Sequence, residues 1–248
     1  MGDSLLMIGE LERDGFARVP GLFDTAECDA LVASLERHLR QERQRQQADP
    51  VIRGSEGTIY AARHLLEFWP EAATFWRKTT LVETLVTLLG PSAGLVRMLF
   101  FDKPPGQSWA LPWHKDLTIA VAEHPGHMQQ YRHPTTKAGV PHLEAPEEVL
   151  RAMLTLRLHL DEVTDENGPL KVLPGSHHTR KSLELSGEIV VLHAQRGEGL
   201  LMRPLLAHAS GRSREGTTRH RRILHLEFAA TPELPEGVRW HRFLPLAG

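Results

Sequence analysis

One cysteine, Cys28, is all that the 248-residue chain contains, so no intrachain disulfide is available and a reducing compartment suits it. Long apolar runs are missing too: no stretch approaches the ~20 residues that cross a bilayer. The opening segment, Met1 to Glu10, has a short apolar run without a basic region before it or a small-residue cleavage pattern. A soluble, cytoplasmic protein with no membrane partner is the expectation. An excess of one charge sign is also absent, since 29 Lys+Arg face 31 Asp+Glu for a formal net charge of -2. That balance offers no electrostatic footprint for nucleic acid. What remains is an ordinary globular composition, 41% apolar and 24% charged, with 15 histidines. So many histidines favour metal chemistry and equally multiply accidental motifs.

The first part of the chain, about residues 1–95, reads as mostly helical. Asp24 and Glu27 form a capping-box pair, and Leu31, Val32, Leu35 and Leu39 then mark one apolar helical face. That helix runs out into the polar stretch Gln41 to Gln47, read as a solvated face. Gly15 to Gly21 reads as a short strand closed by a turn, and Thr80 to Leu89 as a helix stopped by Gly90-Pro91.

From about Leu95 the period becomes two. Val96, Met98 and Phe100 alternate with Arg97, Leu99 and Phe101. Between Met153 and Asp161 four leucines (154, 156, 158, 160) oppose Thr155, Arg157, His159 and Asp161. Further strands are expected over Glu188–Leu192, Gly199–Arg203 and Arg221–Phe228, the last with Leu224, Leu226 and Phe228 opposite Ile223, His225 and Glu227. A polar face rich in His, Arg and Glu suits the interior of a small ligand-holding barrel. The His-, Pro- and Gly-rich segment from Ile119 to Val149 interrupts the pattern and reads as a long loop, of the kind that forms lids or binding loops. His124, His127 and His133 within it read as exposed. With no internal repeat or linker, the expectation is one domain over 1–248, its helical part packing on a β-barrel core of about residues 96–230.

Two His-x-Asp pairs are present, His114-Lys115-Asp116 and His159-Leu160-Asp161. Chance alone supplies about half a match in a chain of this composition. Either pair lies at i and i+2 and can chelate one ion from a strand. His159 and Asp161 lead into the turn Asp165 to Gly168, so Asp161 reads as a strand-end residue bonding the turn backbone. His114 and Asp116 follow a Pro-Gly loop and precede the long insertion, where a pocket mouth is expected. With His208 downstream, two imidazoles and a carboxylate can hold one face of an octahedral Fe(II) and leave the other open.

The order of motifs along nearly the whole chain resembles the phytanoyl-CoA dioxygenase family of Fe(II)/2-oxoglutarate-dependent oxygenases. The resemblance is carried by Asp14-Gly15-Phe16, Val19-Pro20-Gly21, Trp113-His114-Lys115-Asp116, Glu166-Asn167-Gly168-Pro169-Leu170, Leu173-Pro174-Gly175-Ser176-His177, His208 and the basic last strand. It implies a mainly β fold with flanking helices, a double-stranded β-helix or jelly-roll, cupin-like barrel. It implies His114, Asp116 and His208 as iron ligands, and an arginine early in the last strand as the anchor for the distal carboxylate of 2-oxoglutarate. Strand phase favours Arg221 for that anchor, with Arg222 as the alternative, and Ser210 matches a hydroxyl on the same carboxylate. His177 is not among the ligands and reads as a brace at the barrel mouth. A carboxylate at 116, where related halogenases have a small residue, implies hydroxylation or another oxidation.

The implied reaction uses O2 and 2-oxoglutarate to oxidise a C–H bond of a small molecule, releasing succinate and CO2. Candidate pocket residues are Arg157, His159, Lys137 and His142, which suit a polar or anionic substrate or brace the barrel, and Trp113, which suits a hydrophobic wall or the core. Two other readings share the fold: a cupin-type metal protein with isomerase or other non-oxoglutarate chemistry, and a non-catalytic ligand-binding protein.

Overall fold

The computed structural model describes residues 2–42, 51–53 and 58–247. Helix α1 (Gly2–Arg13) precedes β1 (Phe16–Val19) and α2 (Thr25–Glu42). Strands β2 (Val51–Arg53) and β3 (Ile59–Ala62) then lead to α3 (Leu65–Phe68) and α4 (Thr79–Leu89). The sheets continue with β4 (Gly94–Phe101), β5 (Leu111–His114), β6 (Thr118–Ala120), β7 (Arg132–Lys137) and β8 (Val140–Glu144). After α5 (Glu147–Arg151) come β9 (Met153–His159), β10 (Leu170–Val172), β11 (Val190–Leu192), β12 (Gly199–Met202), β13 (His208–Ser210), β14 (Ile223–Ala229) and β15 (Leu244–Pro245).

The major sheet runs β1-β12-β9-β14-β4-β3-β2, with β15 also paired to β4. A four-stranded sheet, β11-β10-β13-β5, lies across its inner face. Leu154, Leu156, Leu158 and Leu160 on β9, with Leu224, Leu226 and Phe228 on β14, pack outward in one cluster with Leu31, Leu35, Leu39, Leu81 and Leu85 of the helices. Burying each such side chain is worth ~1.5–3 kcal/mol, so this helix–sheet layer carries the stability. Thr155, Arg157, His159, His225 and Glu227 therefore face the second sheet.

The capping box at α2 is reciprocal: Asp24 N donates to Glu27 Oε2 and Glu27 N to Asp24 Oδ1, both at 2.8 Å. Helix α4 stops at Gly90, whose φ is 91°. Asp14-Gly15 docks on Pro174-to-His177, for Gly175 N donates to the Asp14 carbonyl at 3.0 Å and His177 Nε2 lies 3.1 Å from the Glu12 carbonyl. A Cβ on Gly15 would sit 2.6 Å from His177 Nδ1, which explains the glycine. His177 thus braces the end of α1.

Several expectations need correction. No hydrogen-bonded ladder joins the two facing sheets among the described residues, so the jelly roll is an open sandwich rather than a closed barrel. The largely helical first part also contributes β2 and β3 to the major sheet. The solvated face expected over Gln41 to Gln47 is helical to Glu42, and its remainder lies outside the described residues. The simple alternation on β4 is broken by a bulge: Glu227 pairs with Arg97 but Phe228 with Leu95, leaving Val96 as the extra residue. Leu95 thereby joins Met98 and Phe100 in the helix-side core, while Val96 enters a second apolar cluster with Ile119, Val121 and Leu143.

The segment from Ile119 to Val149 is not a loop. It forms a third sheet, β6-β8-β7, followed by α5. Strands β7 and β8 join through Ala138-Gly139, where both φ values are positive (49° and 80°), the geometry of a type I′ hairpin. His124, His127 and His133 are exposed on it, as expected.

Candidate metal centre and co-substrate pocket

Strands β5 and β13 run antiparallel, with His114 and His208 as register partners and their ring centroids 4.1 Å apart. Beyond the end of β5, Asp116 N donates to the Pro204 carbonyl at 2.9 Å, which turns the carboxylate toward both rings. His114 Nε2 lies 3.8 Å from Asp116 Oδ1 and His208 Nε2 lies 3.7 Å from Oδ2. The three donor atoms lie within 4.8 Å of one another.

Each histidine is oriented the same way. His114 Nδ1 lies 2.8 Å from the Pro112 carbonyl and His208 Nδ1 lies 2.9 Å from the Leu206 carbonyl. A carbonyl only accepts, so each Nδ1 carries the proton and each Nε2 lone pair is free for a metal. Burial alone would raise the Asp116 pKa; His208, His225, His114 and Arg97 outweigh it and leave the carboxyl at about 2. Burial lowers His208 to about 4, keeping its ring neutral. Asp116 Oδ2 is buried with no hydrogen-bond partner, which suits a cation at this point.

Next to the triad is a cluster of buried basic groups. Lys103 and Arg221 exchange backbone hydrogen bonds at 3.2 and 3.3 Å just past the ends of β4 and β14. Lys103 Nζ is fully buried, donates to Ser210 Oγ at 3.1 Å and to the Gly211 carbonyl, and lies over the Trp109 ring. Burial, then Arg221 and Arg157, pulls its pKa down to about 6. Arg221 is lowered to about 9 and Arg157 to about 10, burial being the main cause of each. The Nε atoms of both arginines are buried without a partner. Buried donors and positive charge left uncompensated in this way fit a dianionic ligand.

The other arginine candidate points elsewhere. Arg222 donates to Asp161 through its backbone N (2.8 Å), Nε (2.9 Å) and Nη2 (2.7 Å), and its Nη1 reaches Glu36 at 3.3 Å. That pairing also accounts for the second His-x-Asp motif. Asp161 binds Arg222 rather than the following turn, which is instead braced by Asn167 through the Glu162 and His220 carbonyls. His159 faces inward and engages the Glu198 carbonyl through Nδ1 at 3.0 Å.

Arg157 adjoins His225, with Nη1 3.4 Å from Nδ1. Lys137 and His142 come from the third sheet, and Trp113 is half-exposed beside His114 in an irregular stretch of β5. Sequence reasoning missed Lys103 and the buried pair Arg97–Glu227, joined by Nε to Oε2 at 2.9 Å and by a second bond. The signal for Lys103 was its parity, since it follows Arg97, Leu99 and Phe101 on the inward side. A second grouping, His64, Glu67 and His241, is a tie between α3 and the C-terminal segment. There His64 Nε2 engages the Lys137 carbonyl, and Glu67 pairs with His241.

This combination of open jelly roll, paired imidazoles with a carboxylate, and adjoining buried cations belongs to one class, the Fe(II)- and 2-oxoglutarate-dependent oxygenases. Within that class the chain belongs to the phytanoyl-CoA dioxygenase family, whose profile matches residues 11–221. Iron and 2-oxoglutarate are the cofactor and co-substrate of that family. The chain is 26% identical over 166 residues to an L-proline trans-4-hydroxylase of Streptomyces griseoviridis, a match covering 67% of this chain and 52% of that protein. It thus spans about half the length of that curated relative. Among solved structures it resembles AviO1 from Streptomyces viridochromogenes Tue57, with a TM-score of 0.67, 21% identity, and coverage of 94% of this chain and 98% of that one. EctD from S. alaskensis with bound Fe gives a TM-score of 0.68 at 19% identity, covering 96% of this chain and 87% of that one. Among the described residues, no helix is long and apolar enough to cross a membrane.

Proposed function

We propose that this chain is a dioxygenase in which His114, Asp116 and His208 hold Fe(II), and 2-oxoglutarate lies between the iron and Arg221. The reaction proposed is hydroxylation, or another C–H oxidation, of a small molecule. Bound here, the iron with 2-oxoglutarate and O2 supplies an oxidant able to break a C–H bond, with succinate and CO2 as co-products. The observation that carries this reading is a chain of neighbouring buried groups with unpartnered atoms, Asp116 Oδ2, Arg157 Nε and Arg221 Nε, in which Asp116 acts electrostatically on Arg157 and Arg157 on Arg221.

The protein's own contributions follow from their positions. Arg221, Lys103 and Ser210 take the distal carboxylate of the co-substrate, with the arginine as the directional anchor and the lysine as a point charge. Leu99 and Phe101 face the pocket from β4 and exclude water beside it. Arg157 holds His225 by the ring, and His225 Nε2 in turn lies 3.3 Å from Glu227 Oε1, which fixes the wall opposite Asp116. Residues 1–248 are proposed to act as one catalytic domain.

The test is anaerobic titration of the purified protein with Fe(II) and 2-oxoglutarate. A visible chelate absorption band that disappears in His114→Ala supports the reading. Fe(II) binding without any such band favours a cupin-type metal protein, and failure to bind either component favours a non-catalytic one.

A further inference from the structure

The inward face of the major sheet is laid out in rows. Ile223 pairs with His159 and Phe101, then His225 with Arg157 and Leu99, then Glu227 with Thr155 and Arg97. Arg221 and Lys103 lie beyond the first row. The metal cluster faces the second, where His225 Nε2 is 4.0 Å from Asp116 Oδ2. The third row is therefore the end away from the proposed co-substrate, and Lys137 of the third sheet lies within electrostatic range of Arg97 and Glu227 there.

Two cations meet there without a carboxylate of their own among the described residues. Lys137 Nζ donates to Thr118 Oγ1 at 3.2 Å, and Arg63, half-buried at the end of β3, makes no hydrogen bond to a described residue. Burial, then Arg97, lowers the pKa of each, and Arg63 also acts on Lys137; Glu227, already paired with Arg97, opposes the shift at both, and Asp116 opposes it at Lys137. His64 ties the two segments together, its Nε2 lying 3.0 Å from the Lys137 carbonyl while its own backbone is held at φ 58°. A left-handed histidine is a strained arrangement retained where the surroundings demand it.

His142 completes the group. It lies opposite Thr135, so it shares a face of the hairpin with Lys137, and it is completely buried. Its Nδ1 lies 2.9 Å from the Val140 carbonyl, so Nδ1 carries the proton and Nε2 presents a lone pair. That Nε2 is buried with no partner. A buried acceptor left without a donor costs about 1–3 kcal/mol, which a ligand N–H offsets.

We propose that Arg63, Lys137 and His142 form the substrate-recognition end of the pocket, and that the substrate is a free amino or imino acid. Its carboxylate lies on Arg63 and Lys137, and its amino N–H donates to His142 Nε2. This rests on the dioxygenase reading and adds the substrate class to it.

The test uses a panel of L-amino and L-imino acids, each paired with its carboxamide. Each is added to the anaerobic Fe(II)–2-oxoglutarate complex, and binding is also read by thermal shift of the metal-free protein. The chelate band that forms before any addition reports on the dioxygenase reading alone. Its perturbation on addition reports on this proposal. At least one free acid is expected to perturb the band and raise Tm, with its carboxamide binding at least tenfold more weakly. Arg63→Met and Lys137→Met each weaken that acid tenfold or more while the chelate band still forms, and Lys137→Arg restores most of the loss. Three results overturn the proposal: no acid in the panel has an effect by either readout, acid and carboxamide bind equally, or the variants bind the acid as the parent does. If the chelate band itself never forms, the thermal shifts decide the recognition proposal separately.

Discussion

Lys103 and Arg221 stand side by side as buried basic groups joined through their backbones, and no carboxylate among the described residues is hydrogen-bonded to either side chain. With its pKa at about 6, Lys103 is mostly neutral at pH 7.5 in the ligand-free protein. An arriving carboxylate raises that pKa, so 2-oxoglutarate binding should take up close to one proton at this pH. Calorimetry in buffers of different ionisation enthalpy reads the uptake directly, and Lys103→Met should abolish it while weakening 2-oxoglutarate at least tenfold.

The same lysine sets a pH dependence of stability. Its folded pKa lies below the unfolded value of 10.5, so the unfolded chain binds more protons between about pH 6 and 10.5. Stability from this group therefore rises with pH across that window and falls as pH drops toward 6. Lys103→Met should remove the slope and raise the Tm of the ligand-free protein near pH 7 by several degrees, as scanning calorimetry at several pH values will show.

The two adjacent arginines should separate cleanly. Arg221→Ala is expected to lower 2-oxoglutarate affinity by two orders of magnitude or more. Arg222→Ala should leave that affinity within about threefold and cost stability instead. It strips Asp161 of a bidentate partner, a loss of roughly 1–3 kcal/mol in denaturant unfolding. The reverse pattern would move the anchor to Arg222.

Breaking the buried pair on β4 and β14 should be more damaging than any surface change. Glu227→Ala leaves Arg97 uncompensated beside Arg63 and Lys137 and is expected to cost about 3–5 kcal/mol. The double change Arg97→Met with Glu227→Leu should recover much of that loss, since no charge is then stranded. Urea unfolding of the three proteins distinguishes this from simple loss of packing.

Gly168 explains the Asn167-Gly168-Pro169 turn in the same terms. Its φ is +70°, and a Cβ there would sit 2.5 Å from the Gly211 carbonyl and 3.1 Å from Lys103 Nζ. Gly168→Ala should both destabilise the fold and weaken 2-oxoglutarate, because the collision falls on the oxygen that receives Lys103. A stability loss with unchanged 2-oxoglutarate affinity would separate the turn from the pocket.

Much of the scaffold was legible because the leucines of β9 and β14 repeat strictly at two residues, and the face opposite a leucine row is defined without further information. The grouping of His114, Asp116 and His208 was legible only through the order of several motifs, since His159-Leu160-Asp161 offers the same local pattern and its aspartate is consumed by Arg222. The bulge at Val96 left no trace, because one extra residue changes neither composition nor local propensity. Strand β7 was invisible for another reason: Arg132 to Thr136 are all exposed, so no apolar alternation marks them. Lys103 was missed because its meaning depends on Arg221, a partner far along the chain.

The third sheet rests on the sandwich through an apolar cluster that includes the bulged Val96, and it carries Lys137 and His142 but no residue of the metal triad. Inheritance in this scaffold is therefore divisible. On the proposed reading, residues 118–144 can change toward a new substrate while the groups proposed for iron and 2-oxoglutarate, at the ends of β4 and β5, on β13 and before β14, stay as they are.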